Sequence, residues 1–543
     1  MPGTSRSGNR TTTLFDRADE MSLRVPTSCR RSGRCRECVV EVREGAEHLD
    51  ERTEPEGFLR GAFRLACQAR LTSPEAPVAF DVVRRRLRIV AGEDGPRDGP
   101  LRPKSNVRDR IVHWGDDPVA ALRDGGRMLG LAIDVGTTTV AFELLDLLDG
   151  SRVALVTLEN PQRFGGSDVM SRIAYDGDQP GELRYALRKA INEELRSVYR
   201  QHGLDRRDVY EAVVVGNSTM RDIAFGVDVA SIGQRPYKST TELEFREGLR
   251  STTDQLAKGH ELGLWVHPQA RIWGAPLVAS HLGADVTADL VATALIDQPG
   301  ISMLVDIGTN TEVVLVGRGR VLAASCPAGP AFEGGEVTYG MQAVHGAIES
   351  IEATGDELRY DTIGDAAPLG LCGSGLVDLL AELRRSGRMT AKGVFAEKAK
   401  LIDVVPELGV TLSRADASAL AQAKAANTVG QQILLRELGI DAAEVDRLFI
   451  AGGFARYIDV DNAVAIGFLA PVPSDRVHKV GNASLRGARE LLLDVQARVA
   501  AEQALANVEH IELEMTPDFF ELFVDACQFK PIGTTTTDRR TAA

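Results

Sequence analysis

Four cysteines near the N-terminus have the residue type and spacing of an iron–sulfur cluster loop. They are Cys29, Cys35, Cys38 and Cys67, spaced C-x5-C-x2-C and then C after 28 further residues. Three thiolates in one loop and one from a distant segment form the plant-type [2Fe–2S] arrangement, here with one extra residue in the first gap. The cysteines therefore predict a site that transfers one electron. Zinc and unligated thiols remain alternatives, although structural zinc sites favour two C-x2-C pairs.

Two near-copies of one strand–turn–strand sequence have the pattern of a phosphate-binding hairpin. They are L-A-I-D-V-G-T-T-T-V-A at 131–141 and L-V-D-I-G-T-N-T-E-V-V at 304–314. The glycine permits a tight turn with φ > 0, successive N–H groups form an anion nest, and the aspartate can orient Mg²⁺. A single turn of this kind also occurs in plain hairpins, but two copies favour phosphate binding. The predicted set is Asp134, Gly136, Thr137, Thr138 and Thr139, repeated as Asp306, Gly308, Thr309, Asn310 and Thr311.

Two further glycine turns fit a nucleotide cleft. Gly373, Ser374 and Gly375 begin an apolar helix, whose N-terminus is a natural anion site. Gly452 and Gly453 follow a short strand, and their small size lets an adenosine lie against the backbone. Helix caps and ordinary turns are the alternative for each. P-loop and dinucleotide-binding glycine patterns do not occur. A chain with a cluster and an ATP site predicts ATP-driven or ATP-gated electron transfer.

The composition excludes several classes of protein. The length of 543 residues predicts several domains, and 43% hydrophobic with 26% charged residues is typical of a soluble globular protein. No long apolar run or signal sequence is found, so we expect no membrane span and a cytoplasmic location. The net charge of −14 argues against nucleic-acid binding. Residues 1–90 are nevertheless basic, with 17 Arg against 13 acidic residues, which suits an anionic cluster, an acidic partner or simply solvent.

The elements that position these residues alternate between strands and helices after residue 128, which predicts an α/β body. The 172 residues between Asp134 and Asp306 indicate an internal duplication. Cys326, Cys372 and Cys527 stand alone and are expected to be buried free thiols. The predicted division is a disordered tail (1–14), a cluster domain (15–84), a linker with little structure (85–127), two similar halves (128–298 and 299–535) and a second tail (536–543).

The hairpin pair and A-G-G-F resemble the actin, sugar-kinase and Hsp70 (ASKHA) ATPase superfamily. More closely, the chain resembles the reductive activators of corrinoid-dependent enzymes that carry an N-terminal ferredoxin domain, over about residues 25–530. The resemblance implies a ferredoxin-like β-grasp (α+β) domain, a linker and a duplicated α/β ASKHA fold. It is carried by V-V-G-N-S-T-M (214–220), A-S-C-P-A-G-P-A-F-E-G-G (324–335), G-L-C-G-S-G-L-V-D-L (370–379), I-A-G-G-F-A-R-Y-I-D (450–459) and V-G-N-A-S-L-R-G-A (480–488).

The resemblance also implies a function. Such an activator returns inactive Co(II) of a corrinoid protein or methyltransferase to Co(I), with one electron from its [2Fe–2S] cluster in an ATP-dependent step. The four cysteines would hold the cluster, the hairpins phosphate and Mg²⁺, and Gly452 and Gly453 the adenosine. An upstream low-potential electron donor and a homodimer are further expectations. Arg30, Arg31 and Arg36 stand where the family usually has glycine, and arginine would strain the loop if φ > 0 is required there.

Three other functions are compatible with parts of the sequence. A small-molecule kinase with an appended ferredoxin would need a catalytic base, for which Asp306 or Glu333 is available. An electron donor for a radical-type dehydratase would normally hold its cluster between subunits with few cysteines. An actin-type ATP switch would hold no cluster at all.

Overall fold

The N-terminal unit is a helix packed on a small antiparallel sheet of order β2-β1-β3. The computed structural model describes residues 12–83, 87, 99–355 and 357–533. Thr13 caps the helix in a capping box with Asp16, and Leu14 is fully buried. The predicted tail, 1–14, is therefore wrong for its last residues, and 1–11 lie outside the described residues. The elements are α1 (Leu14–Glu20), β1 (Val39–Glu44), β2 (Phe63–Leu65) and β3 (Ala79–Val82).

The predicted linker, 85–127, contains an antiparallel sheet, so the expectation of little structure is wrong. Its strands are β4 (Ser105–Arg108), β5 (Ile111–Trp114) and β6 (Asp117–Ala121). The polar pair Asp109 and Arg110 forms a tight turn with both φ positive, which is the geometry that two-residue hairpins require. The indole of Trp114 donates to the buried carboxylate of Glu211 at 2.9 Å, so this sheet is part of the body. Residues 84–86 and 88–98 lie outside the described residues.

The first half of the body is a mixed sheet of order β11-β12-β10-β7-β8-β9 with helices around it. The predicted alternation of strands and helices after residue 128 is present in this half. The elements are β7 (Leu129–Val135), β8 (Thr139–Asp146), β9 (Arg152–Glu159), α2 (Val169–Asp178), α3 (Glu182–His202), β10 (Val209–Val215), α4 (Ser218–Phe225), α5 (Thr240–Arg246), β11 (Gln255–Lys258), α6 (Gly259–Leu262), β12 (Arg271–Gly274) and α7 (Ala284–Thr293).

The second half is a mixed sheet of order β22-β21-β13-β14-β15-β23. A smaller sheet (β17-β16-β18) and a hairpin (β19-β20) are inserted into it. The elements are β13 (Ser302–Ile307), β14 (Thr311–Gly317), β15 (Arg320–Cys326), β16 (Ala347–Thr354), β17 (Glu357–Thr362), β18 (Gly370–Leu371), α8 (Gly373–Arg385), β19 (Leu401–Val405), β20 (Val410–Ser413), α9 (Arg414–Leu438), β21 (Arg447–Gly452), α10 (Val460–Ala465), β22 (Val477–Gly481), α11 (Ala483–Leu493), α12 (Val495–Leu505), β23 (Val508–His510) and α13 (Phe519–Ala526).

The predicted duplication is confirmed by the order and direction of the strands. In the first half β7 pairs antiparallel with β8 and parallel with β10. In the second half β13 pairs antiparallel with β14 and parallel with β21. The turns after β7 and β13 therefore occupy corresponding places at the carboxyl ends of central strands, where α/β proteins bind their ligands.

The two halves contact each other through helices α7 and α11. The backbones of these helices lie so close together that no side chain fits between them at the contact. A side chain at Gly487 would overlap the carbonyl oxygen of Ala288. We therefore expect Gly487→Ala to lower the free energy of unfolding by about 1–3 kcal/mol, as overpacking does. Gly177→Ala in α2 is the matched control, because nothing lies within 4 Å of that position, and it should raise stability by about 0.5–1 kcal/mol. Thermal unfolding of both variants checks this, and equal midpoints would contradict the close approach.

Candidate functional site

The two predicted phosphate hairpins meet across a cleft between the halves. The hydroxyl oxygens of Thr138 and Thr309 lie 2.8 Å apart, and both lie within hydrogen-bond distance of the carboxylate of Glu333. The cleft has a volume of about 840 Å³. Of the predicted residues, those that line it are Asp134, Gly136, Thr137, Thr138, Thr139, Asp306, Gly308, Thr309, Asn310, Gly373, Gly452 and Gly453.

Three predicted residues do not reach the cleft. Thr311 is buried inside β14 and Ser374 is buried beside Cys372, at 3.3 Å between the hydroxyl and the thiol. Gly375 lies against the backbone of Ile348, where a side chain would overlap the carbonyl oxygen. Only the first residue of α8, Gly373, is open to the cleft.

Close backbone approach, rather than left-handed backbone, explains the glycine of the first hairpin. The expectation of φ > 0 at Gly136 is wrong, since its φ is not positive. A Cβ atom there would lie 2.8 Å from the carbonyl oxygen of Thr139. The left-handed glycines are instead Gly216 and Gly452, at the ends of β10 and β21. Each lies against the strand that leads into a hairpin, so each half repeats the same contact.

Buried and half-buried carboxyl groups surround the hairpins, and the sequence interpretation missed several of them. Burial is the main cause that raises the pKa of Asp134 and of Asp285 to about 7. Burial also raises the pKa values of Asp289, Asp306 and Glu312, and neighbouring carboxylates raise those of Asp289 and Glu312 further. Carboxylate oxygens are the ligand type that a hard divalent cation such as Mg²⁺ prefers.

Two polar side chains at the start of α11 donate hydrogen bonds to two of these acids. The amide of Asn482 donates to Asp134 at 3.0 Å, and the hydroxyl of Ser484 donates to Asp289 at 2.9 Å. The cations Arg456 and Lys479 line the same cleft. The visible signal for the missed acids is the spacing of Asp285 and Asp289, which places two carboxylates one turn apart on the otherwise apolar α7.

The raised pKa of Asp134 makes stability depend on pH. The pKa is 3.8 ordinarily and about 7 in the fold, so the folded chain binds more protons between these values. The stabilisation is complete below about pH 4 and is lost as pH rises through about 7. We therefore expect Asp134→Asn to raise the midpoint of thermal unfolding relative to the parent at pH 8 more than at pH 5, in EDTA. Exposed Asp297→Asn is the control, and identical pH profiles of Asp134→Asn and parent would contradict the shift.

The cysteine loop folds so that its thiols approach one another. The sulfurs of Cys38 and Cys67 lie 3.3 Å apart and both are buried, as is Cys35. Burial raises the pKa of the half-buried Cys29, but hydrogen bonds from Ser32 and Cys35 outweigh it and lower the value to about 6. Cys29 thus favours the thiolate form, whereas the hydrogen bond to Cys67 and burial raise the pKa of Cys38.

Cys67 also favours the charged thiolate form. The pKa of Cys67 falls to about 7, because hydrogen bonds from Cys38, Gln68 and the backbone of Gly33 outweigh its burial. Among the described residues, no group of three or more His, Cys, Asp or Glu side chains is arranged to hold a single metal ion. A [2Fe–2S] cluster takes four thiolates shared between two irons. Thiols with N–H donors around them fit such a cluster.

The arginines of the cluster loop adopt the backbone that sequence comparison implied. The φ angles of Arg30, Arg31 and Arg36 are 54°, 65° and 53°. The left-handed region costs a non-glycine residue roughly 1–2 kcal/mol. Part of this strain is offset, since Arg31 pairs with Asp16 at 3.1 Å and stacks on Phe15. The loop thus keeps a glycine-type conformation with arginine side chains.

The cluster domain lies on helix α3 and on the segment 160–164 of the first half. The hydroxyl of Tyr185 reaches the carbonyl of Cys35 at 3.4 Å, and Lys189 pairs with Glu37 at 2.9 Å. The rings of Phe58 and Phe164 meet edge to face at 5.6 Å. Buried side chains of both domains form one continuous core. Cluster loop and nucleotide half are therefore joined by packing as well as by the chain.

The comparisons agree with this architecture. Residues 300–539 match the C-terminal ASKHA domain of RACo, 129–298 the RACo middle region, and 4–72 the 2Fe–2S iron-sulfur cluster binding domain. The chain belongs to the reductive activators of corrinoid-dependent proteins. Within this family of activators, it is 28% identical to the corrinoid activation enzyme RamQ of Eubacterium limosum, over 94% of this chain and 95% of that one.

Two other relatives of the activator family are similar. The [Co(II) methylated amine-specific corrinoid protein] reductase of Methanosarcina barkeri is 24% identical, over 68% of this chain and 70% of that one. The solved structure of a reductive activator for corrinoid, iron–sulfur protein superimposes with a TM-score of 0.72 at 26% identity, and 96% of each chain is covered. In the described part of this activator, no helix has the length and apolarity of a membrane span.

Proposed function

We propose that this chain is an ATP-dependent reductive activator that returns the Co(II) corrinoid of a partner protein to Co(I). The observation that supports it most is the packing of a four-cysteine loop directly onto the first half of a nucleotide cleft. When bound, the cluster supplies one electron at a low potential, near −400 mV for plant-type clusters. The residues of the chain bind it, shield it and connect it to the nucleotide.

Cys29, Cys35, Cys38 and Cys67 are the proposed cluster ligands. Their lowered pKa values at positions 29 and 67 and the N–H groups around the sulfurs favour the thiolate form. Burial of Cys35, Cys38 and Cys67 limits solvent contact on one side, while half-buried Cys29 leaves an edge for electron exchange. Hydrogen bonds to sulfur and burial are the properties that set a cluster's potential.

The nucleotide is proposed to lie between the hairpins. Backbone N–H groups and threonine hydroxyls from Gly136–Thr139 and Gly308–Asn310 would hold its phosphates, and Gly452 and Gly453 would leave space for the adenosine. Asp134 and Asp306 would orient Mg²⁺ or its waters, because burial raises the pKa values of both carboxyl groups and a cation there would stabilise their charged forms. The Thr138–Thr309 contact must open when phosphate enters.

A short segment connects the first hairpin to the cluster domain. The side-chain amide of Asn160 donates to the carbonyl of Gly136 at 2.8 Å, and its backbone N–H donates to that of Thr138 at 2.8 Å. Four residues later, Phe164 packs on Phe58 of the cluster domain. A nucleotide that shifts the hairpin therefore shifts the surface under the cluster domain. Since a ligand moves an equilibrium only by its different affinity for two states, ATP is proposed to favour the state that binds the Co(II) partner.

We expect the protein to act in the cytoplasm. Binding and turnover measurements with purified corrinoid proteins test this proposal. Two probes are a corrinoid iron–sulfur protein and a methylated-amine-specific corrinoid protein, each held as Co(II). Dithionite-reduced chain should convert one of them to Co(I) only with Mg²⁺ and ATP, and titration calorimetry should show tighter binding with ATP. Equal binding with and without ATP would contradict the coupling. Turnover that follows a small hydroxylated substrate and ignores both corrinoid proteins would favour a kinase.

A further inference from the structure

We propose that the arginine-rich cluster loop is the docking surface for a small acidic electron-carrier protein that reduces this chain. The inference rests on the proposed function and names the partner that supplies its electron. One electron passes from the reduced carrier to the oxidised cluster, no bond is formed or broken, and the oxidised carrier leaves.

The charge of the loop carries the inference. Between residues 24 and 36 the sequence has five arginines and no acidic residue, in a chain whose net charge is −14. All five side chains are exposed: Arg24, Arg30, Arg31, Arg34 and Arg36. The chain thus concentrates positive charge beside the half-buried cluster cysteine, Cys29, while the rest of the molecule is acidic.

Three of these charges are available to a partner. Arg31 is paired with Asp16 and Asp19, and Arg36 is paired with Glu182 of α3. Within the described residues Arg24, Arg30 and Arg34 have no ion pair or hydrogen bond. Arg30 also holds a left-handed backbone, which glycine would adopt without strain. The loop therefore exposes guanidinium groups that make no ion pair or hydrogen bond within the described residues.

The location favours an electron donor over the corrinoid acceptor. None of the free arginines lines the nucleotide cleft, so binding at this surface has no direct contact with the nucleotide. The acceptor, by the proposed function, must bind in a nucleotide-dependent way. A donor instead has to arrive, transfer one electron and leave, and such brief encounters use small, electrostatically steered interfaces.

Rapid-mixing kinetics of the oxidised full-length protein test the surface. The probes are a reduced plant-type ferredoxin, which is an acidic protein carrier, and reduced methyl viologen, a small cation. The test variant is Arg30→Gln with Arg34→Gln, and Arg30→Lys with Arg34→Lys restores the charge. The matched control is Arg235→Gln with Arg359→Gln, two exposed arginines elsewhere that remove the same charge. Iron content and the reduction potential of every variant are measured first.

We expect the Gln pair to slow reduction by ferredoxin about tenfold at about 0.01 M salt, with most of the difference lost at about 0.5 M. The Lys pair and the control pair should stay near the parental rate, and methyl viologen, a cation that the arginines do not attract, should reduce the Gln pair no more slowly than the parent. An unchanged ferredoxin rate, an equal loss with methyl viologen or an equal loss in the control pair would overturn the proposal. Chemically reduced Gln-pair protein should still form Co(I), whereas failure of the chemically reduced parent would count against the proposed function alone.

Discussion

A Cys67→Ala variant is expected to lose its iron and all electron transfer while it still binds nucleotide. Cys67 is the one member of the set that comes from outside the loop, and its sulfur lies 3.3 Å from that of Cys38. Without it, three thiolates remain where two irons require four ligands. The anaerobically purified parent should contain about two iron and two sulfide per chain and give an S = 1/2 EPR signal after reduction. The variant should contain almost none and stay silent.

Cys527→Ala is the matched control for the loss of a thiol. Cys527 is half-buried beside Lys424, far along the chain from the cluster loop. It should keep iron, sulfide and the EPR signal. ATP should raise the unfolding midpoint of both variants, because the hairpins lie in the body. A Cys67→Ala protein with parental iron content would show that this cysteine is not a ligand, and a parent without iron after reconstitution would refute the cluster itself.

Gly452→Ala is expected to destabilise the nucleotide half and to weaken ATP binding at least tenfold. The φ of Gly452 is +112°, and an added Cβ would overlap the carbonyl oxygen of Ile307. Strained backbone and overpacking each cost about 1–3 kcal/mol, so a loss near 3 kcal/mol is expected. Ile307 directly precedes Gly308, so a displaced strand would also displace the second hairpin. Thermal unfolding and calorimetric ATP titration measure the two effects.

The neighbouring glycine provides a control at almost the same place. Gly453 has no positive φ and nothing within 4 Å of an added Cβ. Gly453→Ala should therefore unfold at the parental midpoint. A lowered ATP affinity in this variant alone would indicate direct contact with the nucleotide. Parental stability and affinity in Gly452→Ala would contradict the role given to this strand end.

Much of the fold could be predicted because its signals are local. The strand–turn–strand sequences at 131–141 and 304–314 and the alternation of strands and helices after residue 128 follow from the local apolar pattern, and the structure has both. The segment 105–121 could not be predicted so easily, since its strands are short and its turns are rich in Gly and Asp. Its order depends on Trp114 reaching Glu211 about a hundred residues away. Composition alone does not reveal such a contact.

The site shows the same division. The hairpins, Gly452 and the need for φ > 0 at Arg30, Arg31 and Arg36 could be predicted from turn chemistry and resemblance. Asn482 could not, because it reaches the cleft from the start of α11, which the sequence places far from both hairpins. Thr311 was misplaced because alternate residues of a strand face opposite sides. The local sequence pattern predicts which turns bind phosphate. Tertiary packing determines which other side chains line the cleft.

The most direct test of ATP-dependent electron transfer from the cluster to Co(II) is a single-turnover EPR experiment. The chain is reduced, freed of reductant, mixed with a corrinoid iron–sulfur protein as Co(II), with or without Mg²⁺ and ATP, and frozen at intervals. One-electron transfer removes two signals together, because the oxidised cluster and Co(I) are both EPR-silent. If ATP drives one-electron transfer, both signals decay at one rate, and only with ATP. Decay of the cluster signal without loss of Co(II), or equal decay of both signals without ATP, would contradict it.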